Sequence, residues 1–110
     1  MAEENAETEQ KISQLQMFEQ GLQSFLMQKQ QFQGQIVELE SAIEELSSTT
    51  QAYKIVGNVM VLTDRDELKK DLGSRKEMLE IRIKAIEKQE SQLKDKATKL
   101  QEEVLKQIRK

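Results

Sequence analysis

The sequence predicts a mainly α protein: an antiparallel two-helix coiled coil with a single β-hairpin between the helices. Three observations predict it. The 110-residue chain is 34% charged and 36% hydrophobic and has no proline, a composition typical of long helices. Two long stretches carry apolar residues at alternating spacings of three and four. A short β-branched segment separates them. We expect one domain over residues 1–110, with helices at 9–46 and 65–108 and the hairpin at 52–63.

The first 3-4 repeat predicts a helix with one apolar seam. Nine of its ten seam positions are apolar, and the exception is Lys29. The positions are Leu15, Phe18, Leu22, Phe25, Lys29, Phe32, Ile36, Leu39, Ile43 and Leu46. Residues 1–8 show no such period, so we expect them to lie outside the helix, with Asn5 or Thr8 as its cap. The serines and threonines at 47–50 compete for helical hydrogen bonds and mark its end.

The second repeat predicts a partner helix. Eight of its eleven seam positions are apolar. They are Leu72, Lys76, Leu79, Ile83, Ile86, Glu90, Leu93, Ala97, Leu100, Val104 and Gln107. Asp64 followed by Glu67 resembles a capping box, which places the helix start near Arg65. Lys106, Arg109 and Lys110 suit the negative end of the helix dipole.

The segment between the repeats predicts a β-hairpin. Residues 52–56 and 59–63 are rich in β-branched and apolar side chains, and Gly57-Asn58 lies between them. Glycine at the first central position suits a type II′ turn. Such a turn pairs residues whose numbers add up to 115, and the same rule pairs seam positions of the two helices, such as Leu22 with Leu93. One register therefore accounts for both the hairpin and the coiled coil.

Two charged residues interrupt the seam in adjacent layers. In this register Lys29 faces Ile86 and Glu90 faces Phe25. One interpretation is a tolerated imperfection in which both charged groups reach water. The other is a Lys29–Glu90 contact that fixes the register, as polar seam residues do in coiled coils.

The hairpin is predicted to be an assembly module. A lone two-stranded hairpin is marginal in water, and its open edges invite pairing with other chains. Nothing else in the sequence would cover both of its faces. We therefore expect the hairpins of several subunits to form a shared sheet or β-barrel. The residues expected at this interface are Tyr53, Ile55, Val56, Val59, Met60, Val61 and Leu62.

Apolar residues outside the seam concentrate near the chain ends. Ile12, Met17, Leu105 and Ile108 are left over once the seam is assigned. Helices of about 40 residues would be about 60 Å long and carry these residues at the far end from the hairpin. One interpretation is that they are apolar residues scattered on the surface, as is normal in proteins. The other is that they form an adaptable tip that binds varied partners.

Composition and charge restrict the function classes. Without cysteine or histidine, a disulfide, a thiolate metal site or histidine acid–base catalysis is excluded, and we expect no enzyme, metal or cofactor. Residues 1–57 carry three lysines and nine acids, a net charge of −6, whereas residues 58–110 carry a net charge of +3. The cations of the second half alternate with acids, which argues against nucleic-acid binding. No apolar run would span a membrane and no signal peptide is evident, so we expect a cytoplasmic protein.

The whole pattern resembles the prefoldin family. The segment from Tyr53 to Val61 is similar to that family's hairpin, and residues 66–72 are similar to the charged opening of its second helix. The single hairpin resembles the beta class of subunits. The resemblance implies a hexamer of two alpha and four beta subunits joined through hairpin β-barrels.

The resemblance also implies a function. The subunit would hold unfolded polypeptide at the coiled-coil tips without ATP and pass it to a group II chaperonin. The tip residues to which we assign this binding are Ile12, Leu15, Met17, Leu105 and Ile108. The alternative is a structural coiled-coil tether or scaffold subunit that binds no client.

Overall fold

The structure, a computed structural model, describes residues 2–109, with side chains described from Asn5 onward. Helix α1 (Ala2–Ser47) is followed by strands β1 (Ala52–Val56) and β2 (Val59–Thr63) and by helix α2 (Arg65–Arg109). The predicted fold class is confirmed: two long helices with one antiparallel hairpin between them. Lys110, expected to favour the C-terminal end of α2, lies outside the described residues, as does Met1.

The start of α1 differs from the prediction. The helix already includes Ala2, so placing residues 2–8 outside it was wrong, and Asn5 and Thr8 are not caps. The 3-4 spacing in fact continues backward through Lys11 and Thr8, but with polar residues that an apolar search overlooks. Thr8 Oγ1 donates a hydrogen bond of 2.7 Å to Gln107 Oε1, so a polar pair occupies this layer of the seam.

The chain divides into two compact units by its contacts. The terminal unit comprises Met1–Lys29 and Lys84–Lys110, and the hairpin unit comprises Gln30–Ile83. In the terminal unit the buried residues are Ile86 and Val104, both on the predicted seam. Lys11 Nζ lies 3.4 Å from Glu103 Oε2 beside that seam.

The hairpin unit is organised around the same seam. Its buried residues are Ala52, Leu79 and Ile83. Lys76 Nζ lies 3.2 Å from Glu40 Oε1 on the other helix. Throughout both units, every predicted seam position is half-buried or buried, which confirms the two repeats.

Local hydrogen bonds define where α1 ends and α2 begins, on either side of the hairpin. The hydroxyls of Ser47 and Ser48 donate to the carbonyl oxygens of Ile43 and Glu45, so they satisfy the last turn of α1. Asp64 caps α2, because its Oδ1 accepts a 3.0 Å hydrogen bond from the backbone N–H of Asp66.

The hairpin has the predicted register and turn. Val56 pairs with Val59, and the pairing continues to Ala52 with Thr63, so every pair adds up to 115. Gly57 has a φ of 62°, and within the described residues no other residue type has a positive φ. The turn is therefore type II′, in which only the first central residue has a positive φ. A type I′ turn would require a positive φ at both central residues.

Candidate functional site

The hairpin presents an exposed apolar surface. All seven residues predicted for subunit assembly are between 46% and 70% exposed. Cross-strand pairing places four of them on one face of the hairpin: Tyr53, Ile55, Met60 and Leu62. A contiguous patch of large, exposed apolar side chains indicates a site of interaction with another molecule.

The two sides of the hairpin differ in chemistry. A groove of about 600 Å³, here called the β1 groove, runs beside β1 and continues onto the helices. Its apolar wall comes from Leu46, Leu68 and Leu72 together with Tyr53 and Ile55 of β1.

The opposite side carries a second depression of about 440 Å³, here called the β2 hollow. Polar and charged residues dominate its lining, among them Thr63, Asp64, Arg65 and Asp66, and Leu62 is its one apolar residue. The β1 groove therefore combines its apolar wall with the charged side chains of Glu45, Lys54 and Arg75, whereas the β2 hollow is lined almost entirely by polar and charged residues.

Near the chain ends, four of the five predicted client-binding residues are exposed. Ile12, Met17, Leu105 and Ile108 are 40% to 66% exposed, whereas Leu15 is half-buried in the seam. Leu15 therefore contributes mainly to helix pairing and offers less surface to a partner than the other four.

The four exposed residues do not form one patch. By their distance from the seam, Ile12, Leu105 and Ile108 fall on the same flank of the coiled coil, and Met17 falls on the other. The helices are paired and hydrogen-bonded at this end, as the Thr8–Gln107 contact shows. A partner would therefore meet side chains on the outside of a closed coiled coil.

The interrupted layers of the seam contain an ion pair in the terminal unit. Lys29 Nζ donates a 3.0 Å hydrogen bond to Glu90 Oε1, and the two side chains are only 18% and 14% exposed. Lys94 Nζ approaches the same carboxylate at 3.8 Å. The structure thus bears out the contact between these residues, and its role in register remains a prediction.

Sequence reasoning passed over five further exposed apolar residues. These are Leu26, Met27, Val37, Met78 and Ile81. The signal was available, because each is a large apolar residue outside the 3-4 repeat. They are useful comparison positions for the chain ends, because they are exposed to a similar extent but lie away from the first and last turns of the chain.

The described residues show no group of three or more acids arranged to hold a metal ion. In the same part of the chain, neither helix is apolar enough over a sufficient length to cross a membrane.

Comparison with known proteins identifies relatives over nearly the whole chain. The profile of a family described as prefoldin subunit matches residues 9–110. A prefoldin subunit beta of Pyrobaculum calidifontis is 41% identical over 92 residues, which cover 81% of this chain and 74% of that protein. The corresponding protein of Archaeoglobus fulgidus is 34% identical over 96 residues, covering 84% and 83%. The crystal structure of the prefoldin beta subunit from Thermococcus strain KS-1 superposes with a TM-score of 0.87 at 31% identity, covering 94% of each chain.

Proposed function

Because this chain belongs to the prefoldin family of chaperone subunits, we propose that it is a beta-type subunit of an ATP-independent holdase. In this proposal it binds unfolded polypeptide near its chain ends and delivers it to a group II chaperonin. It acts in the cytoplasm as a single 110-residue domain, without catalysis or a cofactor. The observation that carries the proposal is that the chain exposes apolar side chains both on its hairpin and near its two termini.

The hairpin supplies the assembly function. Its face of Tyr53, Ile55, Met60 and Leu62 is exposed in the single chain, and burying one such side chain contributes about 1.5–3 kcal/mol. Prefoldin subunits assemble with one another, and the proposed assembly is a hexamer of two alpha and four beta subunits joined through hairpin β-barrels.

The chain ends supply the client-binding function. Ile12, Met17, Leu105 and Ile108 each offer a weak apolar contact, worth at most about 1–3 kcal/mol. Several subunits held together raise the effective concentration of such contacts, so a multi-armed oligomer gains avidity without one strong site. Dispersed contacts of this kind also suit clients of varied sequence, and the unbranched Met17 side chain can adapt to more than one partner.

The proposal is tested by suppression of aggregation. A chemically unfolded client is diluted into buffer without ATP, and light scattering is followed with the chain, co-assembled with an alpha-type prefoldin subunit, at stoichiometric amounts. A holdase lowers the scattering. A tether or scaffold subunit assembles equally well but leaves the scattering unchanged, and that result would refute the proposed function.

A hairpin variant separates assembly from folding. Ile55→Lys together with Met60→Lys places two charges on the face expected between subunits, where unpaired charge is costly. We expect light scattering to show loss of the oligomer while circular dichroism retains the helices. An intact oligomer from this variant would contradict assembly through the hairpin.

A further inference from the structure

The terminal unit has a cleft of about 360 Å³ on one side of the paired helices, here called the flank cleft. Its floor is apolar and includes Leu15, Leu22 and Ala97. In the register of the coiled coil, Ala97 faces Phe18 across the seam. Its methyl group is smaller than the leucine side chains at the seam positions before and after it, so space remains beside it.

The flank cleft lies on the same flank as three of the exposed end residues. Positions seven apart in a coiled-coil helix lie on one face. The cleft residues Thr98 and Gln101 precede Leu105 and Ile108 by seven residues each, and Ile12 falls on this flank too. With a rise of about 1.5 Å per residue, the cleft and the end residues together form a surface about 20 Å long, here called the flank strip.

Two charged side chains lie on opposite walls of the flank cleft. Glu19 of α1 is exposed and has no ion-pair partner among the described residues. Lys94 of α2 is also exposed, and the carboxylate it approaches at 3.8 Å, that of Glu90, already accepts the shorter hydrogen bond from Lys29. The cleft therefore offers one negative and one positive group to an occupant. A complementary segment carries a basic residue on one side of its apolar face and an acidic residue on the other.

The lining of the flank cleft determines which backbone conformation fits. Every lining residue belongs to α1 or α2, whose backbone N–H and C=O groups are hydrogen-bonded within the helices. An extended segment would find no backbone partner there, and covering its own backbone groups without hydrogen bonds is costly. An α-helix satisfies its backbone internally and packs into the groove between two other helices. The cleft therefore favours a helical occupant.

We propose that the flank strip binds client segments as amphipathic α-helices, each lying along α1 and α2 as a third helix. The preferred segment has apolar residues at positions i, i+3, i+4 and i+7, an acidic residue next to Lys94 and a basic residue next to Glu19. About 14 residues are enough, because a helix of that length spans about 21 Å. The inference rests on the proposed client binding and names the class of segment that is bound.

Labelled peptides test the preference for helices by fluorescence anisotropy, with the chain assembled with an alpha-type prefoldin subunit. The helical probe is a peptide of about 14 residues with the pattern above. One control peptide has proline at a central polar position, which breaks the helix but keeps every apolar residue. The other is a scrambled peptide of the same composition without an apolar face. The helical probe should bind at least about tenfold more tightly than either control.

Charge reversal tests whether the flank cleft is the surface that is used. Lys94→Glu should weaken binding of the helical probe several-fold, and replacing the acidic residue of the probe by lysine should restore binding to this variant. Lys99→Glu is the matched control, because Lys99 is also an exposed lysine of α2 but lies on the opposite flank. It should leave the affinity unchanged. Circular dichroism of both variants should show the wild-type helix content.

Three results would overturn the inference: no measurable binding of the helical probe, equal affinity for the probe and either control peptide, or equal effects of Lys94→Glu and Lys99→Glu. Suppression of aggregation distinguishes them from a failure of the proposed function. A complex that protects an unfolded client but gives one of these results retains the holdase function and loses only the helical preference. A complex that gives no protection loses the proposed function itself.

Discussion

The Lys29–Glu90 pair allows a sharp test of how two charged residues in the seam contribute to the stability of the paired helices. Its 3.0 Å contact lies in a seam that is otherwise mostly apolar, with both side chains less than a fifth exposed. Replacing Lys29 by Leu leaves the Glu90 carboxylate without its nearest cation, and replacing Glu90 by Leu leaves the Lys29 ammonium without its acceptor. Each single change should therefore cost more than the loss of one contact.

The expected magnitude follows from burial. Removing one partner of a fully buried ion pair costs about 3–5 kcal/mol, because the remaining charge stays desolvated. Here both groups keep some exposure, and Lys94 Nζ lies 3.8 Å from the carboxylate, so we expect about 1–3 kcal/mol for each single variant. The double Leu variant removes both charges and fills two apolar layers. It should be as stable as the wild type or more stable, by up to a few kcal/mol.

A double-mutant cycle measures this coupling. Urea unfolding followed by circular dichroism gives the free energy of unfolding for the wild type, both single variants and the double variant under identical assembly conditions. The coupling should exceed about 1 kcal/mol in magnitude. Single-variant costs that simply add up in the double variant would show that the two side chains act independently. The contact would then contribute nothing to the pairing of the helices.

Two further predictions concern helix packing. Gly34→Ala should raise the free energy of unfolding by up to about 1 kcal/mol, because an added Cβ there meets nothing within 4 Å and alanine favours the helix. Gly21→Ala should gain less or lose stability, since its Cβ would lie 3.0 Å from Leu93 Cδ2; equal gains in urea unfolding would contradict that close approach. Cysteines at Leu22 and Leu93 should oxidise readily to an intrachain disulfide, whereas Leu22 with Leu100, displaced by about 10.5 Å along α2, should not. Equal yields of the two disulfides on a non-reducing gel would refute the derived register.

The sequence was sufficient for those features that depend on periodicity and turn chemistry. The seam, the hairpin register and the type II′ turn follow from local spacing and from Gly57, and the structure shows each of them. The start of α1 was missed because Thr8 and Lys11 occupy seam layers with polar contacts. A search for regularly spaced apolar residues does not detect a layer that is held by the hydrogen bond between Thr8 and Gln107.

The candidate surfaces were harder to predict than the fold. Apolar residues off the seam can be read from the sequence, and so can their flank, because Ile12 and Met17 lie on opposite sides of the α1 seam. The exposed fraction of each side chain, which distinguishes Ile12 from the half-buried Leu15, required the structure. The difference between the β1 groove and the β2 hollow arises from how the helix ends meet the hairpin. No pattern within either strand encodes it.

The central claim is that the exposed apolar residues at the chain ends hold unfolded polypeptide. The most direct measurement compares two quadruple serine variants, each assembled with an alpha-type subunit, in suppressing aggregation of an unfolded client. The test variant changes the end residues Ile12, Met17, Leu105 and Ile108. The control variant changes the similarly exposed Leu26, Met27, Val37 and Ile81. Both should assemble normally, and only the test variant should lose most of its protection of the client. Full protection by the test variant, or equal loss in both, would contradict the claim.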